Sequence, residues 1–327
     1  MHYDILSLGP ARMDVFVKLA DDQVEELCNI DRKECLIALP FGEKVPVQKI
    51  HFAVGGNTGN NAVGVTRLGL TAAMAGTMGD GWSDKQALDI LKSEKVDTRY
   101  MKIEAGKAGF GVVINYSEER TILSYYPDAV CVFPDDTELS ANWMYLTTAG
   151  DNFEEFYHKA VEWAKVHGTK IAFNPGTRQI KAGFEQIKFV IDAAEVIFVN
   201  KEEAEHLLFC EPGTGIKDLL AGLFNAGPKI VVITDGMDGS YLYDGSKYWH
   251  MPIVPATVVE RTGAGDAFGS GFLSAIMKGK SVDTALQWGS CNGASVLGYI
   301  GPQQGLLTEE GMNEWVSKTA DVVPVEI

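Results

Sequence analysis

The stretch Thr262-Gly263-Ala264-Gly265-Asp266-Ala267-Phe268 constrains this chain most, because it sets backbone freedom, a carboxylate and a helix start side by side. Upstream, Ile253 to Val259 is β-branched and apolar apart from Pro255, Ala256 and Thr257, which predicts a strand leading into the corner. Downstream, Ala267, Phe268, Phe272, Ala275 and Ile276 recur at helical spacing, and Lys278-Gly279 supplies a cation and a glycine stop. The first N–H groups of a helix lack partners and carry the positive end of its dipole, so they attract an anion, and glycine lets that anion come close. Asp266 falls in this first turn, where a carboxylate can take a proton from a hydroxyl as it attacks a phosphoryl group. A bare GAGD serves equally as a Gly-rich turn whose aspartate caps a helix, and these residues alone leave that alternative open. Gly269 and Gly271 continue the pattern inside the helix, where glycine costs roughly 1 kcal/mol relative to alanine, implying close packing or close ligand approach.

Other nucleotide loops are excluded. No GxxxxGK[ST] occurs, and the glycine spacing does not fit GxGxxG. With 28 Lys+Arg against 44 Asp+Glu, a net charge of -16 argues against a nucleic-acid or anionic-membrane partner. ATP remains compatible, since a local anion site and Mg²⁺ decide its binding. Cys28, Cys35, Cys131, Cys210 and Cys291 are odd in number, scattered and free of CxxC, so the expectation is neither a disulfide framework nor a zinc site, in a reducing compartment. The first residues lack a basic leader followed by a long apolar run, and no stretch approaches the roughly 18 apolar residues of a membrane span. A cytoplasmic protein is expected.

Along the chain, Tyr3 to Gly9 reads as a first strand and Val15, Val17 and Leu19 as an alternating second one, with Asp14 near its start. Val54-Gly55-Gly56-Asn57-Thr58-Gly59-Asn60-Asn61-Ala62 is a second strand-to-helix glycine turn. Asn57, Asn60 and Asn61 suit caps and pockets, where amides meet hydroxyls, and ordinary helix capping explains them as well. Gly109 to Asn115 and Thr121 to Tyr126 form a hairpin-like pair, and with the segment before Gly55 they suggest a β-rich insertion. From Trp143 to Thr234 strands and helices alternate, predicting a parallel sheet with helices on both faces. Ligands of such sheets bind at the carboxyl ends of the strands, where this chain carries Asn174-Pro175-Gly176, Asn200-Lys201-Glu202-Glu203 and Thr234-Asp235-Gly236.

Taken together these residues resemble the PfkB carbohydrate kinases, the ribokinase-like family, over nearly the whole chain. GGNTGNNAVGVTRLG, Gly55 to Gly69, is similar to the family's N-terminal signature, and ERTGAGDAFGSGF, Glu260 to Phe272, to its C-terminal one. NKEE at Asn200 to Glu203 is similar to its N-x-x-E element, and ITDGMDGSYL at Ile233 to Leu242 to its nucleotide-contacting strand and turn. The resemblance implies one domain over 1–327: a three-layer α/β/α body with a mostly parallel sheet, and a small β-sheet lid from insertions at about 12–54 and 105–128. It implies ATP as donor, Mg²⁺ as cofactor, and a primary alcohol of a sugar or nucleoside as acceptor. Asp266 then matches the catalytic base, and the amides of Gly263, Ala264 and Gly265 match the anion hole. Asp14, Gly56, Asn57 and Asn60 match acceptor positions. Asn200, Thr234, Gly236, Gly239 and Asn292 match the nucleotide side, and Glu203 an acid that organises Mg²⁺ through water.

The chain also departs from the family. Glu260-Arg261 stands where members usually carry Asp-Thr, beside a monovalent-cation site, which puts K⁺ dependence in doubt. Tyr126-Pro127-Asp128-Ala129 stands where sugar kinases often show Tyr-Arg-Gly-Ala, and the missing arginine weakens assignment to a sugar acid. A free sugar leads as acceptor, a nucleoside follows, with Phe110, Tyr125 and Tyr126 as lid aromatics that could stack on a base, and a sugar phosphate comes last. A non-catalytic sugar-binding regulator on the same scaffold is the alternative from another class. Exposed edges of a small lid sheet predict a homodimer that pairs lids.

Overall fold

Short β-branched runs separated by amphipathic helices leave each strand two apolar faces to cover, and the chain covers them with a layer of helices on either side. A computed structural model describes residues 1–20, 22, 24–28, 35–116, 119–125 and 130–327. The first part runs β1 (His2–Leu8), β2 (Arg12–Leu19), β3 (Glu25–Cys28), β4 (Cys35–Ala38), β5 (Val47–Gly55), α1 (Asn57–Arg67), β6 (Ala72–Gly79), α2 (Trp82–Ser93) and β7 (Asp97–Glu104). Then come β8 (Phe110–Tyr116), β9 (Glu119–Tyr125), β10 (Ser140–Leu146), α3 (Phe153–His167), β11 (Lys170–Phe173), α4 (Thr177–Ala182), α5 (Phe184–Ala193) and β12 (Val196–Asn200). The last part holds α6 (Lys201–Leu207), α7 (Ile216–Phe224), β13 (Ile230–Thr234), β14 (Ser240–Tyr243), β15 (Tyr248–Met251), α8 (Ala264–Met277), α9 (Val282–Val296), α10 (Glu309–Lys318) and β16 (Val325–Glu326).

The large sheet has the order β16-β15-β14-β13-β12-β11-β10-β1-β6-β7. From β13 to β7 neighbours are parallel, and β14, β15 and β16 add an antiparallel edge. Alternation along each strand divides the core. Trp143 and Tyr145 of β10 face the cluster under α1, α8 and α9, while Met144 and Leu146 face the one under α3, α5 and α7. The tightest helix contact is α8 on α9. A Cβ on Gly271 would lie 2.7 Å from the Trp288 carbonyl oxygen, so this glycine is where the two backbones meet. Gly269 meets nothing within 4 Å and has no such explanation.

The strands β5-β2-β8-β9, in that order, form a second, separate sheet. Register assigns its faces. Arg12, Asp14 and Phe16 share one face with Gly55 and Ala53 of β5, Gly111 of β8 and Ser124 of β9. Val15, Val17, Ile50, Phe52, Val112, Ile114, Leu123 and Tyr125 share the other.

Several expectations are corrected. Ile253 to Val259 is not a strand: Pro252 and Pro255 offer no donors, and the amides of Val259 and Glu260 bond to the Leu297 carbonyl at the end of α9. The corner therefore joins a loop to a helix. Nor is the chain without a disulfide. Cys28 and Cys35 face each other across the β3–β4 hairpin with Cα atoms 4.0 Å apart, and they are bonded. Their separation along the chain concealed that pairing because the hairpin itself had not been anticipated. Cys131, Cys210 and Cys291 are free thiols. Tyr126-Pro127-Asp128-Ala129 lies outside the described residues. Among the described residues, no helix is long and apolar enough to cross a membrane.

Candidate active site

The parallel strands end on one side of the body, and α8 starts there. Gly263 caps α8 with φ 85°, a left-handed conformation that only glycine adopts freely. Its position is also closed to a side chain, since a Cβ would sit 2.3 Å from Pro302 Cβ. Ala264, Gly265 and Asp266 form the first turn, and a Cβ on Gly265 would meet nothing within 4 Å. The corner is closed behind Gly263 and open at Gly265, so the unpartnered amides face the cleft.

Asp266 projects from this turn and is held by one neutral donor: Asn60 Nδ2 donates to Asp266 Oδ2 at 2.8 Å. Burial pushes the Asp266 carboxyl up from the usual carboxylate range to about 6, and the Asn60 hydrogen bond opposes that rise only in part. Asn60 reaches it from α1, whose N-cap Gly56 has φ 98° and accepts the Asn60 N–H through its carbonyl at 3.0 Å. Asn57, one position into α1, donates through Nδ2 to Asn174 Oδ1 at 3.3 Å. Asn61 turns to the core instead, accepting from Ser7 Oγ.

Asp14 approaches from the second sheet. It is only 6% exposed, and hypothetical Cβ atoms on Gly55 and Gly111 would lie 2.0 and 2.2 Å from its carboxylate oxygens. Two glycines on adjacent strands thus clear the space it occupies. Arg12 Nε donates to Asp14 Oδ1 at 2.8 Å, and Arg12 Nη2 to Ser124 Oγ at 3.3 Å. Burial pushes the Asp14 carboxyl up, and the guanidinium beside it pulls the other way.

On the remaining side, Asn200 and Glu203 form a capping box at the start of α6: Glu203 N–H donates to Asn200 Oδ1 at 2.8 Å and Asn200 N–H to Glu203 Oε2 at 2.9 Å. Burial raises the Glu203 carboxyl, and the Asn200 N–H partly offsets it. Thr234 ends β13, and Gly236 and Gly239 bound the turn that follows, with φ 50° and 85°. A Cβ on Gly239 would lie 2.2 Å from the Met251 carbonyl oxygen, whereas Gly236 is open. Lys201 Nζ bonds Asp235 Oδ2 at 2.9 Å and ties α6 to this turn. Asn292 does not join the group. It is fully buried, with Nδ2 donating to the Ala267 carbonyl at 2.8 Å and Oδ1 accepting Leu307 N–H at 2.9 Å, so its amide is engaged in joining α8 to α9.

Arg12, Tyr145 and Gln303 also belong to this site and had not been anticipated. Arg12 was legible only as the same-face neighbour of Asp14 on an alternating strand. Tyr145 donates from β10 to Asn174 Oδ1 at 3.2 Å, and burial together with the Asp266 charge holds its phenol well above its ordinary range. Gln303, in the loop before α10, donates through Nε2 to Asn60 Oδ1 at 3.1 Å, and no local sequence pattern marks it. Glu260, 6% exposed, accepts the Thr262 N–H at 2.8 Å through Oε1, while its buried Oε2 has no hydrogen-bond partner among the described residues. Arg261 turns away to Glu119 of β9, 3.6 Å distant.

An α/β body with an open helix start, a half-buried, desolvated carboxylate in that first turn and a small sheet above the same cleft is the construction of a phosphotransferase. Residues 25–309 match the model of the pfkB family carbohydrate kinases, and the chain belongs to that family. It is similar to 5-dehydro-2-deoxygluconokinase of Bacillus velezensis, 28% identical over 262 residues that cover 75% of this chain and 79% of the relative. It is similar also to a nucleoside kinase of Methanothermobacter thermautotrophicus, 25% identical, covering 76% of this chain and 80% of that one. Arabidopsis thaliana ribokinase complexed with ribose and ATP shares the fold, with a TM-score of 0.77 and 20% identity over 97% of this chain and 99% of its own.

The raised Asp266 carboxyl has a consequence for stability. Its folded value, about 6, lies above the 3.8 of the unfolded group, so the native state binds the extra proton and its stabilisation is full below pH ~4 and lost as pH rises through about 6. Asp266→Asn removes the burden of a desolvated charge. We expect the variant to melt above the parent at pH 7.5 and the difference to close by pH ~4, measured by thermal denaturation across that range. A difference independent of pH would contradict the assignment.

Proposed function

We propose that this chain transfers the γ-phosphoryl group of ATP to a hydroxymethyl group of a small sugar, of the ribose or fructose kind, with Asp266 as general base. The observation that carries the reading is the coincidence in one helix turn of open amides and a desolvated carboxylate. The acceptor hydroxyl gives its proton to Asp266 while its oxygen forms the new bond to the γ-phosphorus, and the bond from that phosphorus to the β–γ bridging oxygen breaks, releasing ADP. The amides of Gly263, Ala264 and Gly265 stabilise the charge on the phosphoryl oxygens in transit, already aligned by the helix. Asp14, Gly56 and Asn57 hold the acceptor's hydroxyls, Asn60 lines the same wall with its amide engaged by Asp266 and Gln303, and Asn200, Thr234, Gly236 and Gly239 border the nucleotide.

Mg²⁺ fits the same cleft. Glu203 has one oxygen fixed by the Asn200 N–H, and burial makes its charge favour a cation, so its second oxygen would hold a water of the ion. The ion would supply charge neutralisation between the β- and γ-phosphates. The buried, unpartnered Glu260 Oε2 fits a monovalent cation, and Arg261, directed at Glu119, does not compete for it.

A second reading of the acceptor, a sugar acid, is favoured by one residue: Arg12 places a guanidinium on the acceptor wall, 14% exposed, where the lid motif had suggested no arginine. The naming of several relatives as 5-dehydro-2-deoxygluconokinases supports it. Both acceptors are reached by one panel: ADP release with Mg²⁺ over ribose, fructose, 5-dehydro-2-deoxygluconate, adenosine, inosine and fructose 6-phosphate. We expect turnover with one sugar or sugar acid, reduced about 10²–10⁴-fold in Asp266→Asn. Turnover of the wild-type order in that variant would refute the base, and a nucleoside as best acceptor would refute the sugar.

We propose further that two copies pair through the outer face of the second sheet, as part of an enzyme working in the ATP-rich cytoplasm. That face leaves Ile50, Phe52, Leu123 and Tyr125 at least half exposed, more contiguous apolar surface than a monomer needs. Light scattering at micromolar concentration should give a dimer mass, and Leu123→Lys should give a monomer. A monomeric wild-type chain would contradict the pairing.

A further inference from the structure

The segment Gly301-Pro302-Gln303 touches all three working parts of the cleft. Gly301, at φ 90°, packs beneath the second sheet: a Cβ there would meet Ala53 Cβ at 3.0 Å and the rings of His51 and Phe16 at 3.7 Å. Pro302 is the wall that closes Gly263 to a side chain. Gln303, 7% exposed, donates through Nε2 to Asn60 Oδ1 at 3.1 Å, and Asn60 Nδ2 donates in turn to Asp266 Oδ2 at 2.8 Å. The segment is fixed from behind. Arg67 Nη1 donates to the carbonyls of Gln303 at 2.7 Å and Leu306 at 3.0 Å, while the same guanidinium holds both oxygens of Glu94 at 2.9 and 2.7 Å.

The chemistry of an amide gives this chain of contacts a direction. A primary amide has a donor end and an acceptor end, and the two can exchange by rotation. An ionised Asp266 needs the donor end of Asn60. That orientation turns Asn60 Oδ1 towards the segment, where it needs a donor, and Gln303 Nε2 supplies one. Without it, Asn60 would gain nothing at its acceptor end, and the reversed amide would set an oxygen against the Asp266 carboxylate.

We infer that Gln303 is a positioning residue for the general base: through Asn60 it fixes the direction of the amide that addresses Asp266, and so selects the ionised, proton-accepting carboxylate. This rests on the reading of Asp266 as the base. Since the same three residues also contact the second sheet and the helix start, the base is held in register with the acceptor wall and the anion site by one short loop. Charged and titratable groups on the surrounding elements include Tyr145 on β10, Arg67 on α1, Glu260 and Arg261 in the loop before α8, Lys201, Glu202 and Glu203 on α6, and Arg12, Asp14 and His51 on the second sheet. Among the described residues, Asn60 is the hydrogen-bond partner of Asp266.

Gln303→Met keeps the length of the side chain and removes the donor without adding charge. We expect the Asp266 titration midpoint, read by carboxyl ¹³C resonance in the full chain, to rise by about half a pH unit or more in this variant. Gln303→Glu, which in its ionised form can only accept and adds a negative charge, should raise it further. The acid limb of kcat/KM should follow, with activity at pH 6 down roughly fivefold for each unit of rise and recovering above pH 8, while KM for the acceptor and ATP affinity change less than about twofold. In an Asn60→Leu background, Gln303→Met should leave the midpoint where Asn60→Leu alone puts it, because the relay is already cut. An unmoved midpoint in Gln303→Met, or an equal rise with Asn60 absent, would overturn the inference. Full turnover in Asp266→Asn would instead remove the base itself; an inactive Asp266→Asn with an unmoved midpoint removes only the role of Gln303.

Discussion

The site depends on how α8 is made to begin. A helix start is useful to an anion only if its first amides face the ligand and nothing stands before them. Here the left-handed turn at Gly263, closed from behind by Pro302, fixes the direction in which the helix departs, and the empty space at Gly265 leaves the front open. Asp266 inherits its place from that geometry. A carboxylate in the first turn would ordinarily be stabilised in its charged form by the dipole, yet desolvation raises this one to about 6, into the range where a base can both lose and accept a proton near neutrality.

Much of the remaining structure keeps this corner still. Gly271 lets α9 come within reach of α8, and Asn292 bonds to the α8 backbone and to the loop that follows α9. Arg67 anchors that loop to α1 and, through Glu94, to the end of α2. The second sheet is built differently, with one face apolar and partly exposed, the other carrying Asp14 in a slot cleared by Gly55 and Gly111. A buried carboxylate paired with Arg12 is a rigid hydrogen-bond acceptor, and in the proposed reaction its placement on a strand would make acceptor binding depend on where the whole sheet sits.

What could be read from the sequence was what depends on local pattern. Helix α3 and strand β11 belong to the alternation of strands and helices expected from Trp143 to Thr234, and the two glycine turns at Gly56 and Gly263 were legible because positive φ demands glycine. The motifs brought Asn60 and Asp266 together across more than half of the chain. What escaped was tertiary. Ile253 to Val259 has strand composition but no neighbouring strand to bond, and propensity yielded to the prolines. Asn292 was a sound amide for a pocket by type, but helix packing turned it inward. Gln303 has no periodic or motif context at all, and its partner, Asn60, is far away in sequence. The Cys28–Cys35 bond needed knowledge of a hairpin that the polar, charged intervening residues do not announce.

In the proposed reaction the transferring phosphoryl group rests on the amides of Gly263, Ala264 and Gly265 with the attacking oxygen at Asp266. A crystal structure with ADP, Mg²⁺ and tetrafluoroaluminate, which imitates a phosphoryl group in flight, tests it directly. The anion should lie within hydrogen-bond distance, about 3 Å, of those amides, with the apical oxygen bonded to Asp266. An anion held elsewhere in the cleft, or an apical oxygen out of reach of Asp266, would contradict it.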